Sequence, residues 1–443
     1  MKATWKLAWA AVAAWGFAAL VEAAPVAVSD EGRRAQAPEV AVGRDGSIHV
    51  IWLDKGAVGA ADRKGKKMAG MQHSHQAFAS LMYARSVDGG QTFGAPVRVN
   101  HRDGEVWGFS ISKASLVVDT DGQVHILYPA NATSSTTGLD VASSAYTVST
   151  DGVTFSPAMM VNTDPEDDLS ELVSGGLAQA QVFGTLSAGA EGAIHAFWLD
   201  TRDMNAEDKL SSLFMRASND GGASWGPERA LFSGDACPCC QVTSTVSEKG
   251  TVYVSARKVS GEKIRTPFVA ASKDGGDQFG PRVSTGGKPW QLDGCPLKLN
   301  ALATSGNHLY SLVHNGAEDP PGLLFARSLD EGASFEAAHP IHPGADVSDS
   351  PSLAASGARV VAVWHAKEGG PRAVYYRVSN DHGARFGPVM RLTQGEAVVG
   401  YPEVVKLPDD GFALVWQQDE RIMYQALALD DLPMDGPPMD GAP

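Results

Sequence analysis

The sequence predicts an all-β chain assembled by repetition, with seven blades of four antiparallel strands arranged as a propeller and six blades as the alternative. Three observations carry this. A short turn motif recurs six times: Ser86, Asp88, Gly90 and Phe93; Ser149, Asp151 and Phe155; Ser218, Asp220, Gly222 and Trp225; Ser272, Asp274, Gly276 and Phe279; Ser328, Asp330, Gly332 and Phe335; Ser379, Asp381, Gly383 and Phe386. Successive Asp positions lie 51 to 69 residues apart, a period that marks a repeat architecture. Upstream of the turns stand seven pairs of short apolar runs, and four-stranded units at this spacing are propeller blades.

The elements follow in chain order. Lys2 and Lys6 precede an apolar run from Leu7 to Leu20, and Val21, Glu22 and Ala23 place small residues where a leader peptidase needs them. Residues 1–23 therefore read as a cleaved secretory leader, and the apolar run falls short of the ~20 residues needed to span a bilayer. The expected destination is the periplasm or the exterior, without membrane insertion.

The propeller is expected over 24–431. The strand pairs begin with Pro38 to Val42 and Ile48 to Trp52, and continue through Ser115 to Val118 with Val124 to Tyr128. The last is Glu403 to Val405 with Phe412 to Trp416. A third run precedes each turn, as in Leu81 to Arg85, and a shorter fourth follows, as in Pro96 to Val99. In the turn, the Asp carboxylate can accept backbone N–H groups, Gly tolerates positive φ and the aromatic packs into the sheet. The seventh pair has a third strand, Arg421 to Leu429, but no fourth. Val26 to Val28 can supply it, joining the two chain ends and covering an open edge. Residues 432–443 read as a loose Pro/Gly-rich tail.

Lys plus Arg is 36 against 51 Asp plus Glu, a net charge of −15, which excludes nucleic acid and anionic membrane as partners. The four Cys are Cys237, Cys239, Cys240 and Cys295. The first three lie between blades three and four and the last between blades four and five, so the fold should bring them together. Disulfides suit an oxidising compartment, with three possible pairings; a thiolate site for copper(I) or zinc is the alternative. In the first blade's second-to-third strand loop, Met68, Met71, His73 and His75 offer thioether and imidazole donors suited to copper. His49, His125 and His195 recur at one strand position and read as packing. Glu166, Asp167, Asp168 and Glu171 read as a solvated acidic loop.

The six turns resemble the Asp-box (BNR) repeats of the sialidase superfamily. That resemblance implies that they join third to fourth strands on the face away from the active site, making Asp88, Asp151, Asp220, Asp274, Asp330 and Asp381 structural. It also implies a working face carrying an Arg-Ile-Pro motif, two further Arg that clamp a carboxylate, a Tyr–Glu nucleophile pair and an Asp acid. This chain departs from the pattern. Gln36, Ala37 and Pro38 open the first blade, and the other inner strands begin at Lys113, Gln181, Gln241, Lys298, Asp349 and Tyr401, none of them Arg. Tyr401 alone stands where the nucleophilic Tyr is expected. The Cys237-to-Cys240 run, with Cys295 and Pro296, is similar to a secreted branch of that superfamily.

The leading expectation is an exported monomer that binds a ligand on its upper face (a glycan, a protein or a metal) without sialidase chemistry. An exo-acting glycoside hydrolase is the second reading, with Tyr401, Asp200, Asp349 and Glu403 as its candidate catalytic residues. A periplasmic copper- or zinc-binding protein using the Cys cluster is the third.

Overall fold

A computed structural model describes residues 24–58, 78–133, 140–163, 181–204, 208–294, 296–318 and 321–429. These residues form antiparallel β-sheets throughout, with one short 3-10 turn at Gly261–Lys263. Strand set one contains Arg33–Val42, Ile48–Ala57, Phe78–Ser86 and Val97–Arg98, paired in that order. The first strands of the following sets are Ser115–Val118, Gln181–Ala188, Thr243–Val246, Asn300–Ser305, Val347–Ser356 and Val399–Lys406. Sets five and six are independent four-stranded sheets.

Two departures from four-stranded regularity appear. Sets one and two merge into a nine-stranded sheet because Val106–Trp107, between them, pairs with both Ala79 and Ala130. Sets three and four merge through Ala236, which pairs with Lys258, and Trp290–Gln291 extends set four by pairing with Ile264 and Arg265. Extended connecting chain finds free backbone partners on the neighbouring strands and takes them.

The chain ends meet as expected. Val26 pairs with Tyr424 and Ala27 with Met423, and the Val28 amide donates to the Ile422 carbonyl at 2.8 Å. The first strands touch in sequence, and Arg33–Val42 contacts both Ser115–Val118 and Val399–Lys406.

The core lies between successive sets. Trp52, Trp198, Trp364 and Trp416, near the ends of the second strands, are fully buried, as is Tyr128. The recurrent His are packing groups: His49 and His125 bond Tyr83 and Tyr146 at 2.7 Å, and His195 bonds the Gly275 carbonyl at 2.9 Å.

The six turns share one hydrogen-bond scheme. Ser272 Oγ accepts the Gly276 amide at 2.8 Å and donates to Asp274 at 2.6 Å, while Asp274 accepts the Gln278 amide at 2.9 Å. The same pattern holds at Asp88, Asp220, Asp330 and Asp381, and in shortened form at Asp151. The carboxylates sit toward water and the serines are the buried members. Hydrogen bonds from Ser224 and Ser218 hold Asp220 down at about 2. Gly222 is required twice. Its φ is +83°, and a Cβ there would fall 1.8 Å from the Tyr146 hydroxyl of the preceding set.

Candidate functional site

Antiparallel topology sorts the two ends of the sheets. A first strand starts at one end, the second returns to it, and the third leaves it again. The Asp turns, at the ends of third strands, therefore lie opposite the starts of the first strands. Gln36, Lys113, Asp349 and Tyr401 share the end away from the turns, with the termini of the second strands.

At that end the first strands are bulged. Register breaks fall between Gln36 and Glu39, Val182 and Thr185, Asp349 and Ser352, and Gly400 and Glu403. Ala37, Phe183, Ser350 and Tyr401 take positive φ of 48–57°, as does Leu297 before the fifth first strand. Non-glycine residues held left-handed carry strain, and a bulge re-aims the side chains around it.

Below the bulges the first strands line a cavity of about 210 Å³, into which Glu39, Lys113, Thr185, Gln241, Asn300, Ser352 and Glu403 contribute. Lys113 is buried and ion-paired to Glu39 at 3.0 Å and to Glu403. Burial pushes Glu39 up to about 7, with Lys113 pulling against it and Glu403 adding to it.

Aligning the second strands exposes an asymmetry. The position after the core aromatic is Leu53, Pro129 and Leu199 in sets one to three. In set four the same position is Arg257, and in the following sets it is His314, His365 and Gln417. All four are polar; Arg257, His365 and Gln417 are buried and His314 is half-buried. Burial, with Lys298 and Arg257 nearby, lowers His314 to about 3. Burial also lowers His365, to about 4, with Asp349 pulling it up and Arg372 and Lys298 pushing it down. Both imidazoles are neutral at physiological pH.

These groups connect. Arg257 donates to the His314 carbonyl at 3.0 Å, and Lys298 pairs with Asp349 at 2.6 Å. The Tyr401 amide donates to His365 Nδ1 at 3.2 Å, and their rings meet edge to face at 6.0 Å. Burial raises the Tyr401 phenol, against a hydrogen bond with Ser110, whose hydroxyl donates to Gln36 at 3.3 Å. Arg372 is exposed, acts electrostatically on His365 and Tyr401, and has no ion-pair partner among the described residues.

The cysteine loop abuts this arc. The Cys237 amide donates to the Arg257 carbonyl at 2.8 Å, and the Lys298 amide donates to Cys240 Sγ. Segments 237–240 and 296–298 are thus neighbours, as the set order requires. Cys239 is disulfide-bonded, whereas Cys237 and Cys240 are free and buried with their sulfurs 3.3 Å apart. The expected multi-sulfur thiolate set is therefore reduced: Cys239 sulfur lies within 4.8 Å of the other two but is committed to its disulfide. Cys295 lies outside the described residues, as do Met68, Met71, His73, His75 and the acidic run at 166–171.

The four carboxylate and phenol candidates do not converge as one set. Asp200 is completely buried; one oxygen accepts the Trp198 indole at 3.0 Å and pairs with Arg202 at 2.6 Å, and the other accepts the Arg202 amide at 2.9 Å. Asp349 is paired with Lys298, and Glu403 with Lys113 in the cavity. Tyr401 stands beside His365 and Arg372, which sequence reading did not single out. The repeat alignment carried the signal, because a position apolar in three sets turns polar in four consecutive ones.

Comparison with known proteins is consistent with this architecture. The BNR repeat-like domain family matches residues 80–415. An ulvan lyase, from a new family of polysaccharide lyase, shares 12% identity at a TM-score of 0.55, covering 91% of this chain and 96% of its own. A protein of unknown function from Dyadobacter fermentans DSM 18053 shares 15% identity at a TM-score of 0.50, with 91% and 98% covered. The intramolecular trans-sialidase from Ruminococcus gnavus shares 13% identity at a TM-score of 0.48, with 91% and 96% covered. No curated protein matches the chain. With its repeated turns, its antiparallel sets and a family match over most of its length, the chain belongs to the BNR repeat-like domain family.

Proposed function

We propose that the chain is an exported seven-bladed propeller that binds an anionic glycan at the end away from its Asp turns, in a cup formed by Tyr401, His365, Asp349, Lys298 and Arg372. The seven-blade reading is supported by the seven first strands around one cavity and by the pairing of Val26–Ala27 with Arg421–Leu427. Export is supported by the three-part pattern of residues 1–23; no helix among the described residues is long and apolar enough to cross a membrane.

One observation carries the binding reading. Blade packing is satisfied by Leu53, Pro129 and Leu199 in three sets, so it does not demand the polar Arg257, His314, His365 and Gln417 in the next four, three of them buried. Buried polar groups cost stability unless paired, and a repeat that keeps them on one arc keeps them for a ligand. Arg372 supplies the charge: an exposed guanidinium without an ion-pair partner among the described residues, on a chain of net −15, suits a carboxylate or sulfate. The two neutral imidazoles and the Tyr401 phenol supply hydrogen bonds to hydroxyls. Saccharides fit this mixture, and the fold neighbour at a TM-score of 0.55 is a polysaccharide lyase.

Glycoside hydrolysis is less favoured. A phenol raised by burial is a weak nucleophile, and Asp200 offers no exposed oxygen. The test is equilibrium binding of acidic and neutral polysaccharides at several salt concentrations. Acidic chains should bind in a salt-sensitive way, and Arg372→Ala should abolish this without unfolding the protein. Equal affinity for neutral chains would refute the anionic reading, and turnover of a fluorogenic sialoside would replace binding by hydrolysis.

A further inference from the structure

Cys237 and Cys240 are free thiols, both buried, with sulfurs 3.3 Å apart in a Cys-x-x-Cys spacing. Arg257 lies against them. It is 1% exposed, and its Nη1 donates to Cys240 Sγ at 2.9 Å. Its Nη2 donates to the His314 carbonyl, its Nε has no partner, and no carboxylate pairs with it among the described residues. A buried guanidinium needs an anion. Among the described residues the only group in contact that can supply one is the Cys240 sulfur, and only as a thiolate. A Cys237–Cys240 disulfide would leave the guanidinium facing a neutral sulfur. The packing therefore favours the reduced pair.

Two thiolates have a use of their own. The only cluster of cysteine, histidine and carboxylate donors among the described residues is the three sulfurs of this loop, and Cys239 is committed to its disulfide. Two sulfur donors are too few for zinc, which takes four ligands in structural sites and at least three from protein in catalytic ones. Thiolate pairs suit copper(I), a soft ion. Charge decides in the same direction. The two thiolates carry −2 and the two buried guanidiniums that act on Cys237, Arg257 and Arg265, carry +2, so a monovalent cation adds one positive charge to the site where a divalent cation would add two. Beside the two guanidiniums the loop packs on apolar side chains, with Phe183, Val242 and Val254 in the same core cluster.

We propose that Cys237 and Cys240 form a two-sulfur site for a soft monovalent cation, copper(I), beside the buried Arg257 guanidinium. The site meets the saccharide cup at the Lys298 backbone amide, which donates to Cys240, but takes no side chain from the cup, so copper binding and saccharide binding are measured separately. Binding releases the one remaining thiol proton, that of Cys237, as the cation enters, with no change in the oxidation state of sulfur or metal, and the sulfurs move apart to admit it.

The experiment uses the full chain, prepared without reductant and under argon. Denaturation and alkylation should label Cys237 and Cys240; finding them joined as a disulfide would overturn the proposal. Titration with cuprous ion alone, against a chromophoric cuprous chelator, should give one tightly held ion per chain. Cys237→Ser and Cys240→Ser should each lose it, and equimolar zinc should not displace it. Retention of the ion by either variant, or displacement by zinc, would refute the assignment. Should the variants fail to fold, X-ray absorption at the copper edge of the unmodified protein decides: two sulfur neighbours are expected, and a nitrogen or oxygen shell would overturn the site.

Discussion

Replacing Lys113 by Met tests how the centre of the molecule is held together. Lys113 is 5% exposed, and its ammonium serves Glu39 at 3.0 Å and Glu403, whose side chains are 27% and 16% exposed. At an effective dielectric of ~20 a contact of this length is worth on the order of 5 kcal/mol in Coulomb attraction before desolvation is charged against it. Methionine keeps much of the aliphatic stem but leaves two carboxylates side by side without a cation. Breaking a buried pair costs about 3–5 kcal/mol; because both carboxylates retain some water contact, a loss of about 2–4 kcal/mol at pH 8 is expected.

The pH dependence supplies the control. Glu39 already titrates at about 7, above its ordinary 4.5, and removing Lys113 removes an opposing influence. A carboxyl raised on folding favours the native state most below its unfolded pKa, and that contribution disappears as pH rises through its folded pKa. The penalty of Lys113→Met should therefore shrink between pH 8 and pH 5. Adding Glu39→Gln and Glu403→Gln should recover most of the loss. Denaturant unfolding followed by tryptophan fluorescence measures all three. A loss under 1 kcal/mol, or one unchanged between pH 5 and pH 8, would refute the reasoning.

Other perturbations follow from the turns and the bulges. Ser272→Ala should cost about 1–2 kcal/mol, since it leaves the Gly276 amide without its acceptor, whereas Ser272→Thr should cost less if the methyl is accommodated; thermal unfolding compares them. Gly222→Ala should destabilise by about 2–4 kcal/mol through the Tyr146 clash and the positive φ, and clearly more than Gly221→Ala, where the nearest atom is the flexible Gln123 amide at 3.1 Å. Equal losses at the two glycines would show that packing between sets does not select the residue. Tyr401→Gly should relieve the left-handed backbone yet weaken saccharide binding, and a glycine variant that binds as well as the parent would remove Tyr401 from the cup.

Sequence periodicity alone determined the all-β architecture, the position of every Asp turn and the pairing of the chain ends. Those features are local. A Ser-x-Asp-x-Gly turn closes on its own hydrogen bonds, and a missing fourth strand is visible as a count. The convergence of the loops around Cys240 and Lys298 was legible too, because adjacent sets must present adjacent loops. Tertiary structure decided the rest. That Asp200 is sealed by Arg202 and Trp198 depends on local side-chain contacts, and that Tyr401 meets His365 depends on the bulge between Gly400 and Glu403. Extra pairing at Val106 and Ala236 fused sets that the repeat treats as separate, since connecting chain can pair wherever a neighbour leaves backbone groups free. Arg257 is the sharpest case. In sequence it is one basic residue following a strand, and only burial beside two thiols, with no carboxylate pairing it among the described residues, gives it an electrostatic task. Charge compensation acts through space, between residues as far apart along the chain as Arg257 and His314, and a linear pattern contains no term for it.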